Sequence, residues 1–186
     1  MRIGVSGTHG TGKTTLVGEL CARLPGHVAA DEPYVLLEDD GYEFGFPPSA
    51  EDYQAQLARS VQLLRSSGPD VVFDRTPVDF LAYLAAQGAD ADVDPAVLRP
   101  AMAGLNLLII LPVTVETEQL LPAAELPQLR HAVNNALLDL VYADPLQAWA
   151  DVLVAELDGP LDRRCATALA ALPAPLRRQV RPSAGG

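Results

Sequence analysis

The chain has 186 residues, with 24 Asp and Glu against 13 Lys and Arg, for a net charge of −11. That length suffices for one domain with a sizeable core, and a hydrophobic share of 49% excludes a disordered chain. The acidity argues against nucleic-acid binding and against docking on an anionic membrane, since both need basic surface.

Arg2 to Ser6 reads as a short strand entering a glycine-rich turn. From Lys13 to Leu24, apolar residues at 16, 17, 20, 21 and 24 mark one face of a helix, which Pro25-Gly26 stops. His27 to Ala30 is expected as a second strand ending in Asp31-Glu32-Pro33. Residues 34–48 hold two glycines, two prolines and several acids, and read as a loop. Ser49 and Asp52 resemble a capping box for a helix that runs to Gly68-Pro69. Val71 to Phe73 is a third strand, closed by Asp74-Arg75, and Pro77 suits the first turn of a helix reaching about Gln87.

A shorter helix is expected over 95–103, then a continuous apolar strand over 105–111 of the kind buried on both faces of a parallel sheet. That apolar run is far below the roughly 20 residues of a membrane helix. Residues 112–124 look irregular. Leu126, Leu129, Val133, Leu137 and Leu140 mark an amphipathic helix. Residues 152–157 form a fifth strand, and Gly159-Pro160 opens a last helix to about Leu172. Residues 173–186, rich in Pro, Arg and Gly, read as a disordered tail beyond a single domain over 1–172. Cys21 and Cys165 read as small buried hydrophobes and not as a disulfide framework. With no signal-type stretch at the start, a cytoplasmic protein is expected.

Strands alternating with helices imply a parallel sheet covered on both faces, with ligands beyond the carboxyl ends of the strands. Three polar clusters fall at that edge: residues 7–14, Asp31-Glu32 and Asp74-Arg75. The first, Gly7-Thr8-His9-Gly10-Thr11-Gly12-Lys13-Thr14, matches G-x-x-x-x-G-K-[ST] in full, after a strand and opening a helix. Glycines let successive N–H groups face an anion, and the helix N-terminus adds partial positive charge. Gly7 to Thr15 are therefore the candidate nucleotide-phosphate residues, with Lys13 on the terminal phosphates. Thr14 and Asp74 are the candidate Mg²⁺ ligands. Lys13 is the one lysine in the chain. The guanine-reading motif Asn-Lys-x-Asp is thus absent, and where hydrolytic motors end a strand in Asp-Glu, the third strand ends in Asp74-Arg75 and residues 105–111 hold no acid.

The remaining tips suit transfer of a phosphoryl group to a hydroxyl. Glu32 is placed to orient the acceptor or take its proton, and Arg75 to meet a phosphoryl group. Arg130 lies beside the apolar face of its helix, so it reaches inward as a clamp or stays solvated. Asp79 either contacts an acceptor or caps its helix. Tyr34, Tyr53 and Tyr83, with Phe44 and Phe46, either wall an acceptor pocket or pack in the core.

The runs Ser6 to Thr15, Glu32-Pro33 and Asp74 to Tyr83 resemble small P-loop kinase-like, AAA-type proteins related to the nicotinamide-riboside kinase domain. More distantly they are similar to thymidylate and deoxynucleoside kinases. The resemblance is strong over residues 1–85 and thin afterwards. It implies a three-layer α/β nucleoside and nucleotide kinase fold: a five-stranded parallel sheet in order 2-3-1-4-5, helices on both faces, and a lid over about 112–150. It implies the acceptor carboxylate at Glu32 and the metal and phosphate roles at Asp74 and Arg75. In related folds residues after the fifth strand border the adenine. Arg163 and Arg164 fall there, although exposed helix positions are the better expectation for both.

The lid departs from that pattern, with one arginine where nucleotide kinases often carry several. This suits an uncharged acceptor better than a nucleoside monophosphate. The expected activity is transfer of the ATP γ-phosphate, with Mg²⁺, to a hydroxyl of a small metabolite, nucleoside-like or a cofactor precursor. The alternative is a nucleotide-binding NTPase or regulatory switch with no small-molecule acceptor.

Overall fold

The computed structural model describes residues 1–120 and 127–172. The elements run β1 (Arg2–Gly7), α1 (Lys13–Arg23), β2 (Val28–Ala30), α2 (Pro33–Asp39), α3 (Ala50–Ser66), β3 (Val71–Asp74) and α4 (Pro77–Ala86). They continue with α5 (Pro95–Ala103), β4 (Leu107–Leu111), α6 (Val115–Leu120), α7 (Pro127–Ala143), β5 (Leu153–Glu156) and α8 (Leu161–Ala171). The five strands form one parallel sheet in the order β2-β3-β1-β4-β5.

Each face of the sheet buries its own core. On one side Leu16, Val17 and Leu20 of α1 and Cys165 and Ala168 of α8 pack on Ile3, Val5, Leu107 and Ile109. On the other side α3, α4, α5 and α7 cover Phe73, Leu108 and Ile110. The strand β4 is buried at every position, as its continuous apolar run requires. No helix among the described residues is long and apolar enough to cross a membrane.

Two segments read as irregular are helical. Residues 33–39 form α2, because Pro33 stands in its first turn and Tyr34 and Glu38 join one turn apart, the hydroxyl donating at 2.7 Å. The glycines and prolines that suggested a loop begin at Gly41. Residues 115–120 form α6. Thr114 caps it: its side chain accepts from Thr117 N at 3.3 Å, and its N–H donates to Thr117 Oγ1 at 2.8 Å. The expected tail over 173–186, and Leu126 of the expected amphipathic stripe, lie outside the described residues.

Candidate functional site

The loop between β1 and α1 is shaped by its glycines and by two hydroxyls. Gly10 and Gly12 sit at φ 73° and 85°, in the left-handed region that a side chain disfavours. At Gly7 there is no room for one, since a Cβ would lie 2.6 Å from the Leu111 carbonyl oxygen and 2.7 Å from Thr11 Oγ1. Thr11 Oγ1 donates to Thr8 O at 2.8 Å, folding the loop back on itself. Lys13 Nζ donates to the same carbonyl at 2.9 Å. His9 lies half-buried on the loop, and Thr14 and Thr15 are exposed in the first turn of α1.

Lys13 is 5% exposed, and its pKa is lowered to about 8. Burial is the main cause and the Arg75 charge the second, while Asp79, Asp74 and Glu32 act the other way. An ammonium of depressed pKa is a cost to the folded state at neutral pH. Between about pH 8 and the ordinary value of 10.5 the unfolded chain binds a proton that the folded chain does not. Stability attributable to this group therefore rises with pH through that window. The neutral variant K13M is expected to be more stable than wild type at pH 7, by at most about 3 kcal/mol. The gap should close as pH is raised from 8 to 10.5. A gap independent of pH in thermal melts would contradict this account.

The tip of β3 brings Asp74 beside the loop. Its carboxylate is 5% exposed and accepts the Thr14 hydroxyl, yet Oδ1 is buried with no protein partner. Its pKa is raised, first by burial and then by Glu32, against the lowering effect of the Thr14 hydrogen bond and of Lys13 and Arg75. An orphaned carboxylate oxygen beside a hydroxyl fits a hard divalent cation. Among the described residues no cluster of three or more His, Cys, Asp or Glu could hold a metal ion. The Thr14–Asp74 pair thus suits an ion that takes its remaining ligands from water and phosphate, as Mg²⁺ does.

Arg75 is the hinge between this loop and the second strand tip. It adopts φ 73°, a left-handed conformation uncommon for a non-glycine residue, and its N–H donates to Val5 O at 3.0 Å. Nε donates to Glu32 Oε2 at 3.0 Å, and Nη1 lies 3.8 Å from Asp79 Oδ1. The guanidinium carbon is 5.8 Å from the Tyr83 ring centre. Asp79, 1% exposed, uses both oxygens inside the protein: Oδ1 accepts Gly7 N–H at 2.9 Å and Oδ2 accepts Thr76 N–H at 2.8 Å. It closes the capping box of α4 and ties that helix to the entry of the phosphate loop.

Two cavities flank these groups. One of about 180 Å³ is bordered by Glu32, Tyr34, Arg75 and Phe80 and walled by Tyr53 and Tyr83, whose rings stack 4.5 Å apart. Both tyrosines are also buried, so packing and walling are not exclusive. Tyr34 stacks on Phe44 at 4.3 Å at the outer side. Phe46 is exposed. Gln56, buried on α3, lines the same cavity, and no motif pointed to it. The other cavity, about 210 Å³, lies between loop residues 10–12, Thr15, Thr117 and the turn from Gly159 to Arg164. A larger one, about 450 Å³, opens between α3 and α5 and holds none of the candidate residues.

Two arginines from the distal half of the chain reach the phosphate loop. Arg130 of α7 is buried, not solvated, and its Nε donates to His9 O at 3.2 Å. Arg164 of α8, for which exposure was the better expectation, is 8% exposed and donates through Nη1 to Thr11 O at 2.6 Å. Arg163 is exposed beside Asp158. The signal for Arg164 was present: it falls on the inward stripe of α8 with Leu161, Cys165 and Ala168.

A sequence profile described as AAA domain matches residues 2–143. The chain belongs to this AAA domain family. No curated protein matches its sequence. Among solved structures it is similar to deoxyadenosine kinase from M. mycoides with dCMP and dCDP bound. The TM-score is 0.62 at 15% identity, covering 91% of this chain and 97% of that one. It is similar to NadR in complex with NAD and AMP-PNP, with a TM-score of 0.62 at 20% identity. That match covers 91% of this chain but 48% of NadR. Thymidylate kinase from Candida albicans matches with a TM-score of 0.61 at 12% identity, over 98% of this chain and 95% of that one. At such identities the likeness carries the fold: this AAA-family chain has the architecture of nucleoside and nucleotide kinases.

Proposed function

We propose that this AAA-family chain is an ATP-dependent phosphotransferase that moves the γ-phosphate to a hydroxyl of a small, uncharged metabolite. The observation that carries the reading is the aromatic-walled cavity bordered by Glu32 and Arg75, next to a complete phosphate loop. A nucleotide switch needs the loop but no such cavity. Among the described residues that line the cavity Arg75 is the one cation, and it is already paired with Glu32. An acceptor bearing its own phosphate would find little to offset that charge, whereas a ring with a hydroxyl fits the tyrosine walls.

In this reading the loop amides and Lys13 hold the β and γ phosphates. Thr14 and Asp74 hold Mg²⁺, which neutralises charge on the phosphate oxygens when bound. Glu32 orients the acceptor hydroxyl and takes its proton. Arg75, paired with Glu32 at the cavity edge, offsets charge on the transferring phosphoryl group. Arg130, seated on His9 from the region that serves as a lid in such kinases, adds a second cation. The adenosine end occupies the cavity between Thr15 and the turn at Gly159.

A screen of nucleosides, cofactor precursors and other metabolite alcohols for ADP release, with Mg²⁺ present, tests the reading. Turnover with an uncharged acceptor is expected, lost when Mg²⁺ is chelated. Turnover with nucleoside monophosphates alone would overturn the acceptor class. ATP hydrolysis unaffected by every acceptor would favour the switch.

A further inference from the structure

Two carbonyls of the phosphate loop are met by buried guanidinium groups. Arg130 holds His9 O and Arg164 holds Thr11 O, from 121 and 153 residues away in sequence. The one cis peptide bond among the described residues is Phe46–Pro47, so the loop peptides are trans. In a trans peptide the carbonyl of one residue and the N–H of the next point in opposite directions. A donor that fixes Thr11 O therefore fixes the Gly12 N–H on the far side of the same plane. Arg130 does the same for the Gly10 N–H. The residues that follow these carbonyls are Gly10 and Gly12, whose own sterics restrain the peptide least.

Burying an arginine on the inward stripe of α8, where an aliphatic side chain would fill the same space, is costly in itself. The cost is visible, since Arg164 Nε is buried with no partner. We propose that Arg164 is a positioning residue, which aims the Gly12 amide at a bound phosphate by holding the Thr11 carbonyl from behind the loop. The inference rests on reading the loop as a phosphate site. Arg130 shares the geometry, but its assigned place beside the transferred phosphate would mix two effects in any variant. Arg164 separates them.

The test titrates inorganic tripolyphosphate and ATP into wild type, R164A and R164K by calorimetry, and records ¹H–¹⁵N spectra of the ligand-free proteins. A hydrogen bond to a charged donor is worth enough that R164A should lose about tenfold or more in affinity for both ligands. R164K, which keeps one donor and the charge, should lose less. The Gly12 ¹⁵N resonance should shift in ligand-free R164A, because its peptide has lost the polarising donor. A loss for ATP with tripolyphosphate unchanged would place Arg164 on the base and overturn the proposal. An affinity loss with an unmoved Gly12 resonance would mean direct phosphate contact, and would overturn it too, as would unchanged affinity for both ligands. If R164A does not fold, R164K decides alone: weaker binding of both ligands with a shifted Gly12 resonance supports the proposal, and wild-type values refute it. A wild type that binds neither ligand would refute the phosphate-site reading, while the Gly12 resonance would still report whether Arg164 sets the loop.

Discussion

K13A is expected to abolish phosphoryl transfer while leaving a folded protein. The one lysine of the chain sits at the loop position whose compact ammonium is read as following charge onto the transferring group. In the ligand-free protein that ammonium is bonded to Thr8 O, a carbonyl that also accepts from Thr11 Oγ1. Removing it therefore leaves the loop carbonyl satisfied and relieves a buried charge, so the fold should survive. Loss of a cation that stabilises transition-state charge costs about a hundredfold to a thousandfold or more in turnover. K13R should not restore it, because a planar guanidinium does not fit a space shaped for a point charge. Turnover by K13A within about tenfold of wild type, in a coupled ADP assay, would remove Lys13 from the transfer step.

E32Q is expected to lower turnover by about a hundredfold to ten-thousandfold, the usual range for a lost general base, with little change in ATP affinity. The glutamine keeps the size of Glu32 and can still accept from Arg75 Nε, so the wall of the cavity is preserved. It cannot take a proton. The paired measurement matters here. Turnover should fall while the ATP dissociation constant holds, since Glu32 borders the aromatic cavity and not the one beside Thr15. A parallel fall in both would mean that Glu32 serves the architecture through its ion pair with Arg75.

Much of this arrangement was legible in the chain. The strand-loop-helix at residues 2–23 announces itself because a full phosphate-loop motif lies between a strand pattern and a helical one. The tips at Glu32 and Asp74-Arg75 were readable because each polar pair closes a short apolar strand. The helices α2 and α6 were not, since seven and six residues carry too little periodicity beside glycine, proline and acids. Gln56 was invisible because an amide on an amphipathic helix carries no signal of its own.

Other assignments depended on distance through space. Asp79 read as either cap or acceptor contact until the fold placed the Gly7 amide 2.9 Å from one of its oxygens. Local periodicity puts Arg164 on the inward stripe of α8 but does not say that this stripe meets the Thr11 carbonyl. The sequence by itself determined the phosphate loop, the parallel sheet and the polar strand tips, because these follow from local backbone geometry and hydrophobic period. Only the tertiary structure decided which cations reach the loop and which walls make the cavity. Those contacts join residues as far apart as Thr11 and Arg164, and pairing at that range is set by packing. The solitary lysine is legible at the first level, and the two arginines that brace its loop only at the second.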